Sequence, residues 1–137
     1  MTEIAHHSFP LAAPTTSPQI YRLGRIAATI PVQDMSRAQD FYIQLLGFEK
    51  SFENGSPVGF SILSKGPTEL HLTLQPNHQP AKFNVAHMMV ENIESLYEHF
   101  LKNDVRIIKS IQDKEFGLRA FVFEDPEGNR IDIGQNI

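Results

Sequence analysis

Cysteine is absent from the 137 residues, which removes disulfides, thiolate nucleophiles and zinc–thiolate sites from consideration. Tryptophan is absent too. There is no basic excess: 12 Lys and Arg stand against 16 Asp and Glu, a net charge of -4 with a pI of about 5.8. That balance disfavours nucleic acid as a partner, because phosphate neutralisation needs a basic face. No apolar run approaches the roughly 20 residues that a helical membrane span requires, so no membrane association is expected. No serine–histidine–acid spacing and no phosphate-cradling glycine loop appears. What remains is ordinary: 41% hydrophobic and 20% charged residues, the composition of one soluble globular domain. With no cysteine and no secretory-type leader, a cytoplasmic location is the expectation.

The most informative positive feature is an internal repeat. An offset of 58 (90 − 32) aligns Val32 with Val90, Asp34 with Asn92, Met35 with Ile93, Ala38 with Leu96 and Tyr42 with Phe100. Each copy reads as a strand, a cap, an amphipathic helix and further strands, so the chain is expected to be α+β, with two tandem βαβββ modules. Residues 1–23, rich in proline and small polar residues, read as a flexible extension, and the adjacent His6 and His7 there as solvated polar groups. Module one is assigned to 24–76, a proline-bounded linker to 77–81 and module two to 82–137.

Within module one a strand near Arg25–Val32 leads to Asp34, a helix cap. Met35, Ala38, Phe41, Tyr42, Leu45 and Leu46 then form one helical stripe closed by Gly47. Strands Phe48–Phe52, Val58–Leu63 and Glu69–Leu74 follow, with Asn54–Gly55 as a hairpin turn, and Phe60 is assigned to the core. In module two the strand Phe83–Val90 precedes Asn92 as the cap and Ile93, Leu96, Phe100 and Leu101 as the buried stripe. Strands Val105–Lys109, Phe116–Phe123 and Arg130–Ile133 complete the sheet, the last two joined by the turn Asp125-Pro126-Glu127-Gly128. Alternation along the strands puts apolar residues under the helices and leaves a polar set on the concave side: Thr29, Glu69, His71, Thr73, His87, Arg130 and Asp132.

The runs ATIPVQDMSRAQDFYIQLLGF, ELHLTL and FGLRAFVFEDPEGNRIDIGQ resemble the vicinal oxygen chelate superfamily, which includes glyoxalase I, extradiol dioxygenases and bleomycin resistance proteins. The resemblance covers roughly residues 24 to 135. It is closest to the bleomycin resistance branch, through Phe116-Gly117-Leu118-Arg119, the DPEGN turn and Gly134-Gln135. It implies a glyoxalase-like fold: half-barrel sheets with helices on the convex side and a cleft on the concave side. It also implies a homodimer whose modules pair within or between chains. Carried over by position, the superfamily's metal ligands fall on Ala27, His71, Val85 and Asp132. Alanine and valine offer no donor, so no metal and no cofactor is expected. The alternative is a divalent metal ion on His71, His87 and Asp132, the composition of a two-histidine, one-carboxylate site.

Two functions follow from the resemblance. The first is a small-molecule binding protein of the bleomycin resistance type, conferring antibiotic resistance by sequestering its ligand without metal catalysis. Its ligand-binding residues are Thr29, His71, Thr73, His87, Phe116, Arg119 and Asp132, Arg119 as an anion clamp and Phe116 as a stacking ring. The second is a metal-dependent glyoxalase-type lyase or isomerase, or a dioxygenase, acting on a vicinal-oxygen substrate. The acidic net charge favours a cationic ligand, although local fields outweigh net charge. Missing tryptophan argues against bleomycin itself.

Overall fold

Each half of the repeat builds its own four-stranded sheet. The computed structural model describes Thr16 and residues 20–137. Most of the segment read as an extension, His6 and His7 included, lies outside the described residues. Module one runs β1 (Ala28–Val32), α1 (Met35–Asp40), a π-helical turn (Phe41–Leu45), β2 (Glu49–Asn54), β3 (Phe60–Lys65) and β4 (Thr68–Leu74). Module two runs β5 (Asn84–Met89), α2 (Ile93–Lys102), β6 (Arg106–Lys114), β7 (Leu118–Glu124) and β8 (Arg130–Asn136). The strand orders are β1-β4-β3-β2 and β5-β8-β7-β6. In both sheets the first strand runs parallel to the last and the other pairings are antiparallel. Two open mixed sheets with two helices are the tandem βαβββ architecture expected from the repeat. Among the described residues no helix is long and apolar enough to cross a membrane.

Period-2 alternation divides each sheet as the sequence predicts. Ile30, Val32, Leu63, Leu70 and Leu72 from module one, with Phe121, Phe123, Ile131 and Ile133 from module two, join Met35, Ala38, Tyr42, Ile93 and Phe100 in one core. Burying each large apolar side chain contributes about 1.5–3 kcal/mol, so the modules stabilise one another through a shared interior. The opposite faces of both sheets point away from it.

Three local expectations are corrected. Phe60, assigned to the core, faces outward: its neighbours Ser61 and Leu63 are fully buried, and its ring lies 5.4 Å from that of His71. The buried Ser61, satisfied by Gln39 Nε2 at 3.0 Å, inverts the polarity pattern on which the assignment rested. Leu101, assigned to the buried stripe of α2, is half exposed. Asn92 precedes α2 in a left-handed conformation but makes no side-chain capping bond; Gln135 Oε1 of β8 accepts the Ile93 N–H instead at 2.9 Å. Asp34 does cap α1, accepting from Arg37 N at 3.0 Å.

The α1 stripe also departs from a plain 3.6-residue period. The backbone widens into the π-turn from Phe41 to Leu45, and π-bulges of this kind re-aim successive side chains. Phe41 thereby packs 6.3 Å from Phe100 and 6.0 Å from Phe123. Its neighbour Tyr42 turns toward Phe48 and Asp125.

The turn Asp125–Asn129 joins the modules. Buried Glu127 accepts the Gln33 and Asp34 N–H groups on Oε1, at 2.6 and 3.2 Å, and Arg37 Nε on Oε2 at 2.7 Å. A carboxylate of module two thus satisfies backbone donors at the start of α1, which otherwise have no partner within the helix. Burial works against the Glu127 charge, yet Arg37 and these backbone donors hold its carboxyl below the ordinary value. Stability from ionised Glu127 is complete above the ordinary value of 4.5 and is lost as pH falls through the lower folded value. Burial pushes Asp125 the other way, above its ordinary value, despite donors from Tyr42, Asn129 and Glu127, so of the two turn carboxylates Glu127 is the one that contributes to the acid-side loss. Glu127→Gln should flatten the acid limb of stability in urea titrations between about pH 2 and 5; parallel limbs in both proteins would refute the assignment.

Gly128 adopts φ +83°, and a Cβ there would lie 2.6 and 2.7 Å from the Pro80 ring of the inter-module linker. Gly128→Ala combines a left-handed residue with a backbone-proximal clash. It should destabilise by about 1–3 kcal/mol in chemical denaturation; an unchanged midpoint would show that the linker moves aside freely.

Candidate functional site

Register places the candidate polar residues in two equivalent settings. Thr29 on β1 faces His71 on β4, and His87 on β5 faces Asp132 on β8. Thr29 and His87 therefore occupy corresponding positions in the two modules, as do His71 and Asp132. All four lie on the outward faces, because their strand neighbours Ile30, Leu70, Leu72, Ile131 and Ile133 fill the core.

On the outer face of the first sheet, His71 Nε2 donates to Glu69 Oε2 at 2.6 Å and Arg25 Nη2 donates to Glu69 Oε1 at 2.5 Å. The His71 hydrogen bond, supported by Arg25, holds the Glu69 carboxyl below its ordinary value against the effect of burial. Thr73 lies one alternate position beyond His71 and pairs with Phe60 and Pro31 across the neighbouring strands. Phe52 and Phe60, with ring centroids 6.3 Å apart, and His71 beyond them form an aromatic row across β2, β3 and β4. This row went unrecognised in the sequence because Phe60 was placed on the wrong face. The β-bulge between Lys50 and Phe52 sets Phe52 in line.

On the outer face of the second sheet, His87 Nδ1 donates to Asp132 Oδ2 at 2.8 Å, and its Nε2 lies 3.2 Å from Met89 Sδ. Gly134 beside it has no side chain, and a Cβ there would lie 3.1 Å from both His87 and Leu118. The glycine thus makes room for the imidazole.

The other two candidates stand elsewhere. Arg119 lies on the helix side of β7, where Asp113 accepts from it at 2.6 and 3.2 Å and Glu94 of α2 accepts a further bond. Those two carboxylates raise its pKa, and its guanidinium is occupied by them. Phe116 sits in the β6–β7 turn with 76% of its surface exposed, away from the core.

A cavity of about 500 Å³ opens where the edges of β1 and β5 approach, lined on the outer side by Ala27, Glu69, Val85, His87 and Met89 and on the core side by Tyr42, Phe48, Phe123 and Ile131. Both positions that would carry metal ligands in the superfamily, Ala27 and Val85, line it with apolar groups. The remaining would-be ligands are tied up in separate pairs, His71 with Glu69 and Asp132 with His87. Among the described residues no group of three or more His, Cys, Asp or Glu side chains gathers to hold a metal ion. Within one chain the set His71, His87 and Asp132 is therefore not assembled, and with Ala27 and Val85 at the other two positions the four superfamily positions supply fewer than the usual three firm protein ligands of a catalytic metal.

The sequence profile of the Glyoxalase/Bleomycin resistance protein/Dioxygenase superfamily matches residues 22–133. No curated protein matches in sequence. Among solved structures, a member of that superfamily from Sphaerobacter thermophilus is similar at 27% identity and a TM-score of 0.73, covering 83% of this chain and 98% of its own. A bleomycin resistance determinant encoded on the transposon Tn5 aligns at 20% identity with a TM-score of 0.71, covering 83% and 98%. TioX from a Micromonospora species aligns at 16% with a TM-score of 0.69, covering 83% and 99%. At such identities the last two share the fold alone. Duplicated βαβββ modules, the DPEGN joint and a match over nearly the whole described chain lead to one conclusion: this protein belongs to the glyoxalase/bleomycin resistance protein/dioxygenase superfamily.

Proposed function

We propose that this protein binds and sequesters a small molecule in a cleft lined by the outer sheet faces, without metal catalysis, in the manner that gives bleomycin resistance proteins their name. The observation that carries this reading is the donor set: Ala27 and Val85 stand at two would-be ligand positions beside a cavity of about 500 Å³. That volume lies within the usual range of ligand pockets, about 300–1,000 Å³. The proposed cleft pairs the outer face of one module with that of the other module in a second copy. Exposed Leu23, Ile26, Phe83 and Met89 near the β1 and β5 edges support such a homodimer, since clustered apolar exposure marks interaction surfaces. Binding in the cytoplasm would confer resistance by lowering the free concentration of a toxic compound.

The test is a thermal-shift screen with glycopeptides, vicinal diols and dicarbonyls, alongside elemental analysis and light scattering of the purified protein. Ligand at about one hundred times its Kd stabilises the folded state by about 2.7 kcal/mol, and mass spectrometry should recover it unchanged. His71→Ala should weaken binding about tenfold while leaving melting without ligand nearly as before. Stoichiometric metal with turnover of a bound compound would overturn the reading.

A further inference from the structure

The outer face of the second sheet carries four cations, Arg106, Lys109, Lys114 and Arg130, placed there by their register opposite Glu124, Val122, Leu118 and Glu124. Two of them share one carboxylate: Arg106 Nη1 lies 3.3 Å and Arg130 Nε 4.0 Å from Glu124. Among the described residues, Lys109 and Lys114 form no such ion pair. They line a small cavity of about 130 Å³ together with Asn84, Ser110, Gln112 and Asp132. The amide and hydroxyl groups of Asn84, Ser110 and Gln112 add neutral donors to two ammonium groups. The one carboxylate present, Asp132, is engaged by His87 at 2.8 Å. A pocket of that size holding two unpaired cations and several neutral donors is the complement of a single anionic oxygen group, not of a cationic ligand. The chain is acidic overall, but the field at this face has the opposite sign, and the local field selects the ligand.

From this geometry we infer that the sequestered molecule is a planar aromatic carrying an anionic oxygen group, with the anion seated between Lys109 and Lys114. Its ring lies on the Phe52–Phe60–His71 row of the facing module. The inference rests on the sequestration reading above, because that reading brings the two outer faces together. The aromatic row supplies stacking surface for the ring, and the lysine pocket selects the anionic group that the ring carries.

Calorimetry on the full chain with three ring-matched probes tests it: 2-naphthoate, neutral 2-naphthalenemethanol and cationic 2-naphthylmethylammonium. The naphthoate should bind about tenfold tighter than the alcohol, and added salt should weaken only the naphthoate. In the double variant Lys109→Gln/Lys114→Gln, naphthoate should fall to the level of the alcohol, while the alcohol binds as before. Phe60→Ala should weaken both. Equal or tighter binding of the cationic probe would overturn the inference and leave sequestration standing. Absence of binding by all three, in a protein that also gives no hit in the broader screen, would overturn both.

Discussion

Asp125→Ala is expected to cost about 3–5 kcal/mol in folding stability, because several buried donors lose their acceptor at about 1–3 kcal/mol each. Asp125 is 3% exposed. It accepts from Tyr42 Oη at 2.6 Å, from Glu127 N at 2.8 Å, and from Asn129 N and Nδ2 at 2.9 and 3.2 Å. Alanine would leave the Tyr42 hydroxyl and the Glu127 and Asn129 N–H groups buried without this acceptor, while Asn129 Nδ2 keeps its bond to Pro31 O at 2.9 Å. The Tyr42 bond crosses from one module to the other, so part of the loss falls on their docking. A double-mutant cycle with Tyr42→Phe should show a coupling of about 1 kcal/mol or more, read from urea denaturation midpoints. Asp125→Asn, which keeps one acceptor oxygen, should cost less than alanine. If Asp125→Ala unfolds within about 1 kcal/mol of the parent, the turn is not the joint described here. Because the cleft needs each face held in place, ligand affinity should decline together with stability in this series.

Phe100→Ala should be comparably severe, at about 3–5 kcal/mol. The Phe100 ring is fully buried and lies 4.7 Å from Phe123, 5.9 Å from Phe121 and 6.3 Å from Phe41. It touches aromatic rings of both modules, so its removal opens a cavity in their shared core. The neighbouring Leu101 provides the control. Half of its surface is exposed, and Leu101→Ala should stay within about 0.5 kcal/mol of the parent. Equal effects at the two positions would mean that α2 presents a different face to the core.

These contrasts show how far the chain was legible before folding. The order of elements, the duplication, the Asp34 cap and the inward residues Ile30, Val32, Leu70, Leu72, Ile131 and Ile133 follow from local periodicity, which strands and helices express within a few residues. Thr29, His71, Thr73, His87 and Asp132 follow from the same alternation, and all five lie on outward faces. Phe60 and Leu101 depart from that pattern because Ser61 is buried where an apolar residue is expected, and α2 turns Phe100 but not Leu101 to the core. Arg119 reads in sequence as an anion clamp or one half of a surface ion pair, and it is the fold that supplies Glu94, distant from it along the chain, as one of its partners.

By itself the sequence determined the fold, because hydrophobic period and turn chemistry are local and each module repeats them. The tertiary structure alone decided which carboxylates are consumed as structural acceptors and which cations remain without partners. Those outcomes depend on contacts between residues as far apart as 83 positions, for Tyr42 and Asp125, and 98, for Pro31 and Asn129. No local pattern encodes such pairings. They arise only when two separately patterned sheets close on one core and leave every buried polar group to find a partner.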